Sequence, residues 1–206
     1  MMLKNNVARA LGRPPKEADQ KNRILLEAAK VITSVGYEQC NLQDIASAIN
    51  LSRPALYHYF STKQEIFTAI ALRSMRGIFQ FVSTEIEEEK SASGKLERFF
   101  RSHAEYFEKN FWMVSATIVG YGGVARRDIS ELESFEMFRR KYLDLLVRIL
   151  EEGVDEGFLE AKNMALVSRS IFQLLNISHW YKPGGKVSAV AVAEENFELL
   201  IKGIGR

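Results

Sequence analysis

A chain of 206 residues with 28 Lys and Arg against 26 Asp and Glu, 47% of it hydrophobic, has the composition of one large or two small soluble globular domains. Its single cysteine, Cys40, excludes an internal disulfide and suits a reducing, cytoplasmic setting. The most apolar run, Met113 to Ala125, is too short and too interrupted by Ser115, Thr117 and three glycines to span a bilayer, and Met1 to Asn6 lacks the apolar core of a signal peptide.

The net charge of +2 hides an asymmetry. Through Lys63 there are nine Lys and Arg against five Asp and Glu, whereas the remainder carries a small acidic excess. A basic front on a mildly acidic body fits a nucleic-acid-binding head attached to a part with another task. Residues 1–18 read as an extended basic arm, because Pro14 and Pro15 bar a helix before them and Lys4, Arg9, Arg13 and Lys16 stand there with no acid among the first sixteen residues. A first helix is expected from Asp19 or Gln20 to Val35, with Ile24, Leu25, Ala28, Ala29, Ile32 and Val35 as its buried stripe. Gly36 would end it in a left-handed cap, followed by the apolar Tyr37.

From Asn41 to Phe60 two short helices flank a tight turn. Asn41 caps the first, Asp44 suits its positive end, and Leu42, Ile45, Ala46 and Ile49 share one face. Asn50 tolerates the left-handed stop. Ser52 caps the second helix, with Pro54 in its first turn. Leu56, Tyr59 and Phe60 then face inward, leaving Arg53, Ala55, Tyr57 and His58 outside. That is the layout of a helix-turn-helix, although spacing alone also allows a helical hairpin that merely packs.

Thr62 to Glu65 is a capping box that starts a long helix, in register through Ile86 and reaching about Glu88. Ser91 to Gly94 breaks the chain. Further helices are expected over Leu96–Phe107, Phe111–Gly120, Ile129–Glu156, Asn163–Tyr181 and Ser188–Ile204, with Tyr121-Gly122-Gly123 loosening the end of the second of these. The chain is thus all-α, about nine helices in total: arm 1–18, helix-turn-helix domain 19–65, and a helical body 66–206. The last two helices, with Leu166, Ile171, Leu174, Leu175, Phe197, Leu200 and Ile201, could pair with a second copy as a four-helix bundle or serve the internal core.

The string Asn-Leu-Gln-Asp-Ile-Ala, then Leu-Ser-Arg-Pro-Ala-Leu-Tyr-His-Tyr-Phe, then Lys63 resembles the DNA-binding domain of the TetR family of bacterial repressors, from about Arg23 to Ile70. Pro54 and Ala55 depart from the Gly or Ala and the Thr usual there. The resemblance implies a homodimer, paired through the last two helices, that binds double-stranded operator DNA and is released by a small-molecule effector held in the body. It also implies that the arm can reach the minor groove or a phosphate.

On that reading Asn41, Ser52 and Lys63 hold phosphates, while Gln43, Arg53, Ala55, Tyr57 and His58 lie near bases or backbone. Arg53 is the guanine reader, since its guanidinium fits O6 and N7 together. The two recognition helices of a dimer must sit about 34–36 Å apart. The effector region of the family falls on aromatic-rich helices whose rings otherwise read as core. His103, Trp112, Tyr121 and Asn176, with apolar bulk and polar tips, are the ligand candidates. The segment His179-Trp180-Tyr181-Lys182-Pro183-Gly184-Gly185 looks like that of family members responding to acyl-CoA thioesters, with Lys182 and Lys186 near CoA phosphates. Physically it is a turn beside solvated lysines.

No catalytic or metal-ligand spacing stands out around His58, His103 or His179, so no cofactor, metal or enzymatic activity is expected. An all-α enzyme and a helical protein-interaction adaptor are the rival readings, and a salt series of DNA-binding measurements separates them from a regulator.

Overall fold

The computed structural model describes residues 17–127, 130–160 and 163–204, with the side chains of 126, 127 and 131 outside that description. The basic arm expected over 1–18 lies, up to residue 16, outside the described residues. Nine α-helices and one 3-10 turn, with no β-strand, make up the described fold.

Helix α1 (Glu17–Val35) buries Gln20, Ile24, Leu25, Ala28, Ala29 and Ile32. Val35, expected in that stripe, is instead half exposed in the last turn. Gly36 takes φ +85° and donates its N–H to the Ile32 carbonyl, after which Tyr37 turns into the core. Helices α2 (Leu42–Ala48) and α3 (Arg53–Tyr57) are too short to be stable alone. Their ends are fixed by side chains and their inner faces by burial. The Asn41 Oδ1 accepts from Gln43 and Asp44, and the Asp44 carboxylate accepts from the Asn41 N–H in return. Asn50 adopts φ +54° between the two helices, as its stop role requires. Ile45, Ala46, Ile49, Leu56 and Phe60 complete the inner face.

Helix α4 (Lys63–Ile86) begins at the Thr62 cap and touches α1 at one end and the bundle at the other. Around it stand α5 (Ala92–Lys109), α6 (Phe111–Arg127) and α7 (Glu133–Asp155). A 3-10 turn over Ser130–Leu132 leads into α7, where the sequence predicts a helix from Ile129. Helices α8 (Met164–Leu174) and α9 (Ala189–Ile204) pack on α7 and α5 respectively. One continuous apolar core runs from Ile24 to Ala193.

Further expected boundaries move. The break expected over Ser91 to Gly94 shrinks to the Ser91 cap, whose hydroxyl oxygen accepts from the Gly94 N–H, so α5 already runs from Ala92. Helix α6 does not loosen at Tyr121 but runs to Arg127. Gly120 permits close approach: a Cβ there would collide with the Phe67 ring of α4. Helix α8 stops at Leu174, not Tyr181. The Tyr181 ring instead turns back onto Phe107 and Phe111, at 5.2 and 5.7 Å, and its hydroxyl donates to Glu108. Burying that ring outweighs continuing the helix.

Candidate nucleic-acid interface and cavity

The exposed side of the helix-turn-helix presents Gln43, Arg53, Tyr57 and His58. The Arg53 Nη2 donates to the Tyr57 hydroxyl at 3.1 Å, and its guanidinium lies 5.6 Å from that ring's centre. This i, i+4 pair holds the arginine over the outer face of α3, whose inner face is Leu56. Gln43 Nε2 donates to Ser47 across one turn of α2. Ala55 is half-buried and adds little to this surface. Asn41 and Ser52 spend their side-chain oxygens on helix caps, which leaves the Asn41 amide N–H groups and the Ser52 hydroxyl proton as donors.

Lys63 has partners within the head. Its Nζ donates to the carbonyls of Tyr37 (2.7 Å), Glu38 (3.3 Å) and Cys40 (2.7 Å), and sits 4.4 Å from the centre of the Tyr37 ring. An ammonium has three N–H groups, and here all three serve the loop between α1 and α2. The geometry makes Lys63 a clamp on that loop, a role additional to the phosphate contact expected of it. Under the clamp, the buried Cys40 thiol is pushed up to about 11 by burial, despite the lowering influence of Lys63.

The body encloses a cavity of about 610 Å³, within the usual range for a small-molecule site. Its walls come from α4 to α8 and include His103, Tyr121 and Asn176, three of the four ligand candidates. Trp112 does not line it. That ring packs edge-on against Phe111, and its backbone carbonyl lies 3.5 Å from the Thr33 hydroxyl of α1. The fourth candidate thus belongs to the joint between α1 and α6.

Ile78, Phe107, Val114, Phe135 and Phe172 give the cavity an apolar lining. Its polar groups cluster. The Tyr121 hydroxyl donates to Glu136 Oε1 at 2.6 Å, and the other oxygen of Glu136 accepts from Arg139 at 2.9 Å. Burial, then the bond to Glu136, holds the Tyr121 phenol above its ordinary range. Arg140 and Arg169 also line the cavity, are exposed, and have no ion-pair partner among the described residues. The space therefore opens to solvent beside two guanidinium groups that form no ion pair among the described residues. His103 is buried, and its Nδ1 lies 2.7 Å from the buried Tyr142 hydroxyl. Burial lowers its pKa to about 3, so the imidazole is neutral.

The arginines and Glu136 were not singled out in the sequence. Nothing in their spacing marks Arg139 and Arg140, and only the placement of α7 against α8 turns residues of both helices toward one space. Lys182 and Lys186, by contrast, are exposed and do not line the cavity. No group of three side chains able to hold a metal ion occurs among the described residues, and no described helix is long and apolar enough to cross a membrane.

The family model described as bacterial regulatory proteins, tetR family, matches residues 24–70, and that described as tetracyclin repressor-like, C-terminal domain, matches residues 89–204. The HTH-type transcriptional repressor KstR2 of Mycolicibacterium smegmatis is 27% identical over 195 residues, 93% of each chain. The crystal structure of the TetR family transcriptional regulator PfmR from Thermus thermophilus is similar with a TM-score of 0.79 at 32% identity, covering 89% of this chain and 100% of that one. The structure of AibR in complex with isovaleryl coenzyme A and operator DNA has the same fold, with a TM-score of 0.76 at 20% identity, covering 87% and 97% of the two chains. A helix-turn-helix with an open polar face, joined through α4 to a helical body, and family models covering both parts lead to one assignment: the chain belongs to the TetR family of bacterial regulatory proteins and is a DNA-binding transcriptional regulator, not an enzyme.

Proposed function

We propose that this regulator is a homodimeric repressor whose head, residues 19–65, reads operator DNA and whose body, residues 66–206, releases that DNA on binding an amphipathic organic anion, with acyl-CoA thioesters the class that fits best. The observation that carries the ligand reading is the cavity, apolar within and opening beside Arg140 and Arg169, which have no ion-pair partner among the described residues. An acyl chain suits the interior, and CoA phosphates suit the two guanidinium groups. The AibR complex supplies a precedent of the same fold with a CoA thioester.

The dimer reading is supported by Leu166, Leu174 and Leu199 on α8 and α9, which stay exposed, whereas Ile171 and Leu175 of the same expected surface turn into the internal core. On the head, Arg53, Tyr57, His58 and Gln43 face the bases or backbone, with Asn41 and Ser52 as neutral donors to phosphate. Lys63 acts behind them by fixing the loop.

The effector can shift the operator equilibrium only by its differential affinity for the two conformations. Moving 1:99 to 99:1 requires roughly 10⁴-fold discrimination, and operator must weaken effector binding by the same factor. The test is to select operator fragments from genomic DNA with the full chain and then titrate operator with and without octanoyl-CoA. Release on thioester binding, with the reciprocal loss of thioester affinity, is expected. Thioester affinity indifferent to operator would sink the effector reading. Light scattering of a Leu166→Glu, Leu199→Glu variant tests the pairing: it should be monomeric and lose operator, and a variant that stays dimeric would disprove pairing through α8 and α9.

A further inference from the structure

Tyr142 fixes the tautomer of His103. The Tyr142 side chain is fully buried, and its hydroxyl has one hydrogen-bond partner among the described residues, the His103 Nδ1 at 2.7 Å. If Nδ1 carried the proton and donated to the phenol oxygen, the phenol's own proton would have no acceptor, at a cost to the native state. The satisfied arrangement is the reverse: the phenol donates, Nδ1 accepts, and the neutral imidazole carries its proton on Nε2.

That Nε2–H has no partner among the described residues. It is also not one of the fully enclosed orphan side-chain atoms, which are Thr68 Oγ1 and Ser115 Oγ. It belongs to a residue that is itself 6% exposed and lines the 610 Å³ cavity. His103 lines two adjoining spaces, the 610 Å³ cavity and a much smaller cleft against α9, both walled by Phe107 and Leu175, and only the first has room for a ligand.

We propose that His103 is the specificity-determining residue of the cavity, its Nε2–H donating to an acceptor oxygen on the part of the ligand that enters the apolar chamber. This rests on the organic-anion reading above and sharpens it. The preferred ligands carry a carbonyl oxygen within their buried portion, and a chain lacking one leaves the Nε2–H unpaired. Arg140 and Arg169 attract the anionic end without regard to that oxygen, so affinity and selectivity rest on different residues of the site.

The experiment is calorimetry on the full chain with three ligands: octanoyl-CoA, 3-oxooctanoyl-CoA and the S-octyl-CoA thioether, which has no acyl carbonyl. At least one carbonyl-bearing ligand should bind the native protein about tenfold tighter than the thioether, the range of one buried hydrogen bond. In a His103→Leu, Tyr142→Phe variant, which orphans neither partner, that preference should fall to within about twofold while thioether binding persists. His103→Gln, which keeps an N–H, should restore part of it. Nitrogen-15 NMR of the unliganded protein should show the neutral Nε2–H tautomer. The opposite tautomer, or equal binding of all three ligands to the native protein, overturns the His103 role alone. Failure of all three to bind overturns the CoA-thioester reading and this proposal with it.

Discussion

The reading head and the body are held together by different means. In the head, short helices are pinned at their ends: by the Asn41–Asp44 box, by Ser52, by Asn50 at φ +54°, and by the three bonds of Lys63. In the body, long helices are held by aromatic rings along their faces, and they stand around a space of about 610 Å³. Interiors are otherwise packed to crystal density, so the space within the body is where the molecule has room to change. Between them the Phe67 ring meets Tyr37 at 5.0 Å on one side and Gly120 of α6 on the other. Because α6 also walls the cavity through Thr117, Ile118 and Tyr121, this ring is the contact through which the proposed effector response would pass to the head.

The largest expected effect removes that ring. Phe67→Ala should lower the unfolding free energy by about 3–5 kcal/mol, measured by urea titration, and should shrink the effect of octanoyl-CoA on operator affinity. A loss under about 1 kcal/mol would mean the joint is not packed as described. Acid comes next. His103 has a pKa of about 3 in the fold against an ordinary 6.5, so between these values the unfolded chain binds a proton that the native protein refuses. Stability from this group is full above pH 6.5 and is lost as pH falls, by about 1.4 kcal/mol per unit, or roughly 2–3 kcal/mol at about pH 4.5. His103→Gln should remove that part of the acid sensitivity of the melting temperature.

Arg53→Ala should weaken operator binding by about 1–3 kcal/mol and relax sequence preference, with melting unchanged. Equal loss on operator and random DNA would refute base reading. Lys63→Met should do the opposite: a stability loss of about 1.5 kcal/mol with the salt dependence of DNA binding intact. A salt slope reduced by about one would make Lys63 a phosphate contact as well. Smallest is the glycine pair on α6. A Cβ at Gly122 meets nothing within 4 Å, so Gly122→Ala should stabilise by about 0.5–1 kcal/mol, while Gly120→Ala must displace Phe67 and should destabilise.

The same contrast governs what could be read in advance. Caps, stops and a 3.6 period are written in neighbouring residues, so Asn41, Asn50, Ser52 and Thr62 were legible, as was the outward set on α3 apart from the half-buried Ala55. The cavity is made by residues far apart in the chain. His103, Tyr121 and Asn176 were found because each couples bulk with a polar tip. Trp112 has the same character and lies at the α1–α6 joint. Arg140 and Arg169 look like any solvated cation until α7 and α8 are laid side by side. Glycine read as a helix stop at Tyr121-Gly122-Gly123 because propensity is local, whereas the reason for Gly120 is a ring on α4. Lys63 fits a phosphate by charge, and only the fold reveals the three carbonyls it also binds.

The lone sulfur beneath the Lys63 clamp gives the molecule a built-in reporter. Cys40 is 1% exposed and its thiol is pushed up to about 11, so in the closed head it is both shielded and protonated. Alkylating reagents can reach it only when the loop between α1 and α2 lifts away. With no other cysteine in the chain to confuse the signal, the labelling rate becomes a direct clock for opening of the reading end, readable on the native sequence without a dye or an engineered tag.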